Sequence, residues 1–140
     1  MSKKAKHIQD QQVPRVSEVE VMTLVRDKKI RSKALKDLKK LTSFSDVQIS
    51  SWLHINVKTF RSYRDRAIAL PDDISEQVYL LLRLFQLGKA LFSNKERFDE
   101  WLSTANFYFD EVAPMEFLSS ISGIRFISSR LRAMEMGDNV

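Results

Sequence analysis

The chain has 140 residues, of which 44% are hydrophobic and 29% are charged, enough for one domain or two small ones built around a core. It contains no cysteine, which excludes disulfides, cysteine–zinc sites and thiol nucleophiles and agrees with a reducing cytoplasm. We see no run of 18 apolar residues and no signal-peptide pattern, so we expect no membrane association.

Charge is distributed unevenly along the chain. Residues 1–66 contain 16 Lys/Arg and 7 Asp/Glu, a balance of +9, whereas residues 67–140 contain 7 and 11, a balance of −4. A basic half suits nucleic acid, and an acidic half suits a partner of different chemistry. Compositional drift is the alternative explanation.

The N-terminal third is predicted to contain an arm and two helices. Residues 1–15 show no periodicity and include Pro14, which favours a flexible polar arm. A first helix is predicted to begin at Ser17, since Glu20 three residues later completes a capping box. A second helix is predicted over about 32–41, with leucines on one face and lysines on the other.

The next two helices have the spacing of a helix-turn-helix. Ser45 and Asn56 are the predicted N-caps of the third and fourth helices. Ser50 supplies a small residue where the helices would touch, and Phe60, ten residues later, supplies the buried contact. His54 falls at the corner, where a left-handed backbone is needed and histidine tolerates it. We therefore predict a DNA-binding domain over residues 16–70.

In this interpretation residues 56–66 form the recognition helix, whose first residues face base edges and whose flanks meet phosphates. The candidates for the groove are Lys58, Thr59, Arg61 and Ser62, and those for phosphate contact are Arg64 and Arg66. The alternative is that these cations are only the solvated face of an ordinary helix, because such helix pairs also pack without DNA.

The C-terminal half is predicted to be helical throughout. A fifth helix over about 74–92, capped by Asp73, is apolar nearly all round, which suits either a buried central helix or a surface covered by another chain. Ser93 is the predicted cap of the sixth helix, and Pro114 is predicted to open a short helix at 114–119. The last helix is predicted from Ile121 to Met136, with a polar stripe that contains Arg125, Ser128, Ser129 and Arg132, and Gly137 ends it. The prediction is an all-α protein of about eight helices.

Catalytic and metal-binding patterns are weak. The two histidines, His7 and His54, have no second ligand at metal-binding spacing, and no glycine-rich phosphate loop occurs. Neighbouring carboxylates are better explained as helix caps and solvated loops. We therefore expect no enzyme activity, no metal and no cofactor.

From residue 45 onward, an ordered set of motifs resembles one family, the Xre/MbcA/ParS-type antitoxins. Two departures are Met136, where the family has histidine, and "STANFYFDEV", where it often has a glycine-rich loop. Trp101, Leu102, Pro114 and Gly123 match the family pattern as residues of the fold. The matching motifs are "TFRSY" at 59–63, "VYLLLRLFQLGKALF" at 78–92, "EWL" at 100–102, "APMEFL" at 113–118 and "SGIRFISSRLRAMEMG" at 122–137.

The resemblance implies a protein with two activities. The N-terminal part would bind operator DNA and repress its own operon, and residues 71–140 would bind a RES-domain toxin that consumes NAD. The last helix and tail would block the toxin's active site, and we expect a homodimer and a toxin–antitoxin hetero-oligomer. The residues implied to contact the toxin are Arg132, Glu135, Gly137, Asp138, Asn139 and Val140. A transcription regulator without a toxin partner is the alternative.

Overall fold

The computed structural model describes residues 19–20, 32–66 and 69–137. The described residues form six α-helices: α1 (Ser32–Lys40), α2 (Asp46–Trp52), α3 (Val57–Asp65), α4 (Asp72–Phe92), α5 (Lys95–Ser103) and α6 (Ile121–Glu135). Two 3-10 turns, Phe107–Phe109 and Pro114–Phe117, lie between α5 and α6.

The all-α class is confirmed, but six α-helices are described where about eight were predicted. The predicted arm at 1–15 lies outside the described residues. So does most of the predicted first helix, of which only Val19 and Glu20 are described, both helical. The predicted short helix at 114–119 is a 3-10 turn opened by Pro114, whose fixed φ suits a first helical position.

Two predicted caps are confirmed. The Ser45 hydroxyl accepts a hydrogen bond from the Gln48 backbone N–H at 3.1 Å, and the Asn56 side-chain oxygen accepts one from the Thr59 N–H at 2.7 Å. Each bond satisfies one of the backbone donors that have no partner within the first turn of a helix. These caps fix where α2 and α3 begin.

Two other predicted caps are wrong. Helix α4 begins at Asp72 and has Pro71 at its N-cap position, so Asp73 lies inside the first turn, where a carboxylate suits the helix dipole. Helix α5 is capped by Asn94, which accepts from the Arg97 N–H. Ser93 ends α4 instead, with φ 76°, because the chain must reverse between the two helices.

Helix α4 is the centre of the fold and packs against α1, α5 and α6. Its Phe85 is fully buried and contacts rings from both sides: Trp52 with ring centroids 6.1 Å apart, and Phe98 at 5.4 Å. The chain itself therefore covers most of this apolar helix, in line with a buried central helix. The two predicted domains share one core, and the division at residues 70 and 71 stays a prediction.

Polar contacts also join the two halves of the chain. The Asp99 carboxylate accepts from the buried Thr42 hydroxyl at 2.8 Å and from the Ser43 N–H at 2.7 Å. Burial raises the pKa of Asp99, and these two hydrogen bonds oppose the rise without cancelling it. A carboxylate from α5 thereby holds the linker between α1 and α2.

Two glycines permit close packing. A Cβ on Gly88 of α4 would lie 2.3 Å from the Phe98 ring, and one on Gly123 of α6 would lie 1.8 Å from the Phe117 carbonyl oxygen. The Gly123 N–H donates to the Ser120 hydroxyl, which caps α6. The absence of a side chain at Gly123 therefore allows a tight start to the last helix.

Replacing Gly123 by Ala is expected to destabilise the protein, although alanine is normally the better helix former by about 1 kcal/mol. The added methyl group collides with backbone, which cannot move aside cheaply, so we expect a loss of about 1–3 kcal/mol in the free energy of unfolding. Urea denaturation followed by circular dichroism measures it. The exposed neighbour Ser122→Ala is the control, and a stabilised Gly123→Ala variant would contradict the packing described.

Candidate functional site

Helices α2 and α3 meet at the predicted corner. His54 has φ 59°, in the left-handed region, and both predicted contact residues, Ser50 and Phe60, are buried. The His54 Nε2–H donates to the Ser119 carbonyl oxygen at 2.7 Å, so the corner also rests against the segment that precedes α6. The helix–corner–helix geometry predicted from spacing is therefore present.

The predicted DNA-contact residues are distributed around α3 and its end. The exposed ones are Lys58, Arg61 and Arg66, and the half-buried ones are Thr59, Ser62 and Arg64. Lys58 and Arg66 make no side-chain ion pair with any residue that the structure describes.

Arg61 and Arg64 are held by a carboxylate that sequence reasoning missed. Asp46, the first residue of α2, lies 3.0 Å from Lys39 Nζ, 3.0 Å from Arg61 Nε and 3.0 Å from Arg64 Nη1. The Arg64 guanidinium carbon also lies 5.9 Å from the centre of the Phe60 ring. Because Asp46 is 15 and 18 residues from the two arginines, no local spacing rule could have found this cluster.

The three cations change the titration of Asp46. Partial burial alone raises the pKa of Asp46, but hydrogen bonds from Arg61, Lys39 and Arg64 outweigh burial and lower the pKa to about 2. Hydrogen bonds to Asp65 and Asp46 raise the pKa of the Arg64 guanidinium above its usual value, against the effect of burial. The Arg64 hydrogen bond also lowers the pKa of the exposed Asp65. The cluster is fully ionised at neutral pH.

The lysine side of α1 and the cations of α3 form one continuous surface, which we call the cationic face. Residues 32–66 contain eight Lys/Arg and three Asp, so the local charge stays positive after Asp46 has paired. Lys36 of α1 is close enough to Asp65 to help lower the pKa of that carboxyl, which places it beside the end of α3. Asp46 holds the arginines in fixed orientations without cancelling their combined charge.

The last helix is half buried and half open. Ile124, Ile127 and Leu131 are fully buried, whereas Phe126 on the other side is 43% exposed and Met136 is 83% exposed. Among the predicted toxin-contact residues, Arg132 and Glu135 are half-buried, and Gly137 is exposed with φ 97°. Asp138, Asn139 and Val140 lie outside the described residues. Helix α6 therefore keeps a surface that another molecule can reach.

The region that contains this helix can be assigned to a family. Residues 87–137 match the sequence model of the antitoxin Xre/MbcA/ParS C-terminal toxin-binding domain. Over these residues the chain is similar to the Xre/MbcA/ParS-type domain. The match runs from within α4 to Gly137, and it confirms the resemblance drawn from the ordered motifs. None of the curated proteins compared with the chain matches it.

The matched segment, residues 87–137, carries an exposed aromatic patch between α5 and α6. Phe107 is 78% exposed and Tyr108 is 51% exposed, and the Arg130 guanidinium lies 6.0 Å from the Tyr108 ring centre. Asp110 and Glu111 both have positive φ, and an isolated bridge joins Asn106 to Val112. Sequence reasoning found this loop rich in aromatic residues but gave it no role.

A cleft of about 310 Å³ lies between α4 and α6 of the same region. We call it the arginine cleft, because Arg83 of α4 and Arg125 and Arg132 of α6 line it, together with Ser128 and Ser129. The polar stripe predicted on the last helix therefore faces another helix. Sequence reasoning identified the stripe and could not tell what it faces.

Residues 19–20, 32–66 and 69–137 contain no cluster of three or more His, Asp or Glu side chains that could hold a metal ion. In the same ranges, no helix combines the length and the apolar character that a membrane crossing requires.

Replacing Asp46 by Asn tests the cation cluster. The folded pKa of about 2 lies below the ordinary 3.8, so the carboxylate stabilises the fold above about pH 4, and this contribution is lost as the pH falls towards 2. We expect Asp46→Asn to cost about 1–2 kcal/mol at pH 7, less than the full pKa shift because the pairs are partly solvated, and little at pH 2.

Denaturant titrations at several pH values between 2 and 7 measure this difference. Asp37→Asn is the matched control, because among the described residues Asp37 forms its ion pair with the exposed Lys33, at 2.9 Å. An Asp46→Asn variant with the same pH dependence as the wild type would refute the assigned role of Asp46.

Proposed function

We propose that the protein is the antitoxin of a toxin–antitoxin system. Its C-terminal part binds a RES-domain toxin that consumes NAD and blocks the toxin's active site, and its N-terminal part binds operator DNA and represses its own operon. The observation that carries the proposal is the match of residues 87–137 to an antitoxin toxin-binding domain.

Inhibition of the toxin is steric in this proposal. Helix α6 has one buried face, which fixes it to the fold, and one accessible face that ends in Gly137 and the tail. Arg132, Glu135 and Gly137, with Asp138 to Val140, are the residues proposed to contact the toxin. Such a role requires a shaped surface and no catalytic group, so we propose that the protein is not an enzyme.

DNA binding is supported by the shape and charge of the N-terminal region. The left-handed corner at His54 supports a role for α3 as the second helix of a helix-turn-helix, and the cationic face offers the charge that phosphates require. Lys58 and Arg61 are the best candidates for base edges, since both are exposed.

Repression is proposed to require a homodimer. One short recognition helix buries little surface, whereas a dimer can align two half-sites about 34 Å apart, one turn of DNA. Binding of the toxin would then give a hetero-oligomer with two antitoxin chains.

A transcription regulator without a toxin is the second candidate. The corner geometry and the cationic face would serve it equally well, because neither depends on the C-terminal surface. Purification of the tagged protein from cells that express its chromosomal operon separates the two candidates: a co-purified NAD-consuming enzyme supports the antitoxin.

Removal of residues 132–140 is expected to abolish inhibition of the toxin and to spare the fold. The deletion begins directly after Leu131, which is fully buried, so no fully buried residue of α6 is lost. The measurement is the rate of NAD consumption by purified toxin with full-length or shortened protein. A shorter deletion of 138–140 separates the tail from the last helical turn, and full inhibition by both shortened proteins would exclude the tail mechanism.

Replacement of Lys58 by Ala is expected to weaken binding to the protein's own promoter about tenfold and to reduce the salt dependence. A gel shift on a promoter duplex at several salt concentrations measures both. Arg61→Ala and Arg64→Ala should weaken binding as well, but they also release Asp46, so their folding must be checked. Arg97→Ala, at an exposed position on α5, is the control. Unchanged binding by the Lys58, Arg61 and Arg64 variants would refute the assignment of the cationic face.

A further inference from the structure

The arginine cleft concentrates positive charge in the acidic half of the chain. Residues 67–140 contain seven Lys/Arg, and three of them, Arg83, Arg125 and Arg132, line this one cleft. Because residues 67–140 carry a net charge of −4, their composition alone predicts a negatively charged surface. The local arrangement therefore favours an anionic ligand where the overall charge does not.

Arg83 lines the cleft and has an unused hydrogen-bond donor. Its Nη1 donates to Gln86 Oε1 at 2.8 Å, but its Nε is buried and makes no hydrogen bond to any described residue. A buried donor that lacks an acceptor is unfavourable, and such groups are rare in folded proteins. An oxygen acceptor supplied by another molecule would satisfy it.

The spacing of the arginines indicates what kind of anion would fit. Arg125 and Arg132 are seven residues apart on α6, which is about 10 Å along the helix axis. The hydroxyl groups of Ser128 and Ser129 lie between them, and three buried leucines of α4 form an apolar floor. A ligand with two separated negative groups matches this spacing more closely than one small anion does.

A protein segment with two carboxylates around an apolar side chain has the complementary pattern. Acidic side chains at positions i and i+4 of an extended strand lie on one face about 13 Å apart, within reach of two long arginine side chains, and the side chain at i+2 lies between them on the same face. Guanidinium groups bind carboxylates through paired hydrogen bonds, and the leucine floor would receive the apolar side chain. The Glu76 carboxylate lies 4.0 Å from Arg125 Nη2. A carboxylate of the chain itself therefore already lies beside an arginine at this end of the cleft.

We infer that the arginine cleft binds an acidic segment of the partner protein, with carboxylates at its arginines and an apolar side chain between them. This inference rests on the proposed function, since the partner is the toxin. Arg132 belongs to both surfaces, whereas Arg83 and Arg125 add a charged contact outside the residues proposed to block the active site.

The test compares toxin binding by the wild type with binding by the double variant Arg83→Gln, Arg125→Gln. Neither residue is among those proposed to block the active site. We expect the double variant to lose about tenfold to a hundredfold in affinity, with a weaker dependence on salt, in calorimetric titrations with purified toxin. Arg97→Gln, which removes one exposed charge on α5, should bind as the wild type does.

The outcomes separate the two proposals. Absence of binding by the wild type would overturn the proposed function and this inference with it. Equal affinity of the wild type and the double variant would overturn the arginine cleft alone. If circular dichroism shows that the double variant is unfolded, the single variant Arg125→Gln takes its place in the same titration.

A second variant identifies the occupant directly. Arg83→Lys with Arg125→Lys places two amines in the cleft, and a carbodiimide can join them to carboxylates that lie beside them in the complex. We expect mass spectrometry to find cross-links from residues 83 and 125 to Asp or Glu of the toxin. Cross-links confined to this chain would overturn the inference. It would also be overturned if inorganic phosphate binds the wild type without displacing the toxin.

Discussion

The burial of α4 is the constraint on which the whole structure depends. This helix is too apolar to face water, so α1, α5 and α6 must cover it, and each is amphipathic in the required way. Phe85 packs against Trp52 on one side and Phe98 on the other, so the same ring belongs to the environment of both halves. The cationic face and the open side of α6 are what remains accessible once this core has formed.

Charge is used differently at the two ends of the molecule. On the cationic face, Asp46 engages three cations within 3.0 Å and fixes the side chains that would approach DNA. In the arginine cleft, the guanidinium groups converge on a concave surface with an apolar floor. A fixed convex face suits the regular phosphates of a duplex, whereas a concave one selects a ligand of particular shape.

Local features were predictable from the sequence, and contacts between distant segments were not. The caps at Ser45 and Asn56 and the left-handed corner at His54 follow from neighbouring residues, and all three are present. The cap at Ser93 was misplaced because chain reversal, a tertiary requirement, decided between the adjacent candidates Ser93 and Asn94. The Asp46 cluster and the arginine cleft join residues from different helices, which no periodicity reveals.

The contact between the corner and the start of α6 is made through main-chain acceptors. The Gln77 side-chain amide is buried and donates to the carbonyl oxygens of Trp52, at 2.7 Å, and Leu118, at 3.2 Å, while His54 donates to that of Ser119. Backbone carbonyls are present whatever side chain a residue carries. The side chain at position 119 can therefore change without loosening this joint, provided that Gln77 and His54 persist, whereas Leu118 is also fixed by its burial in the core.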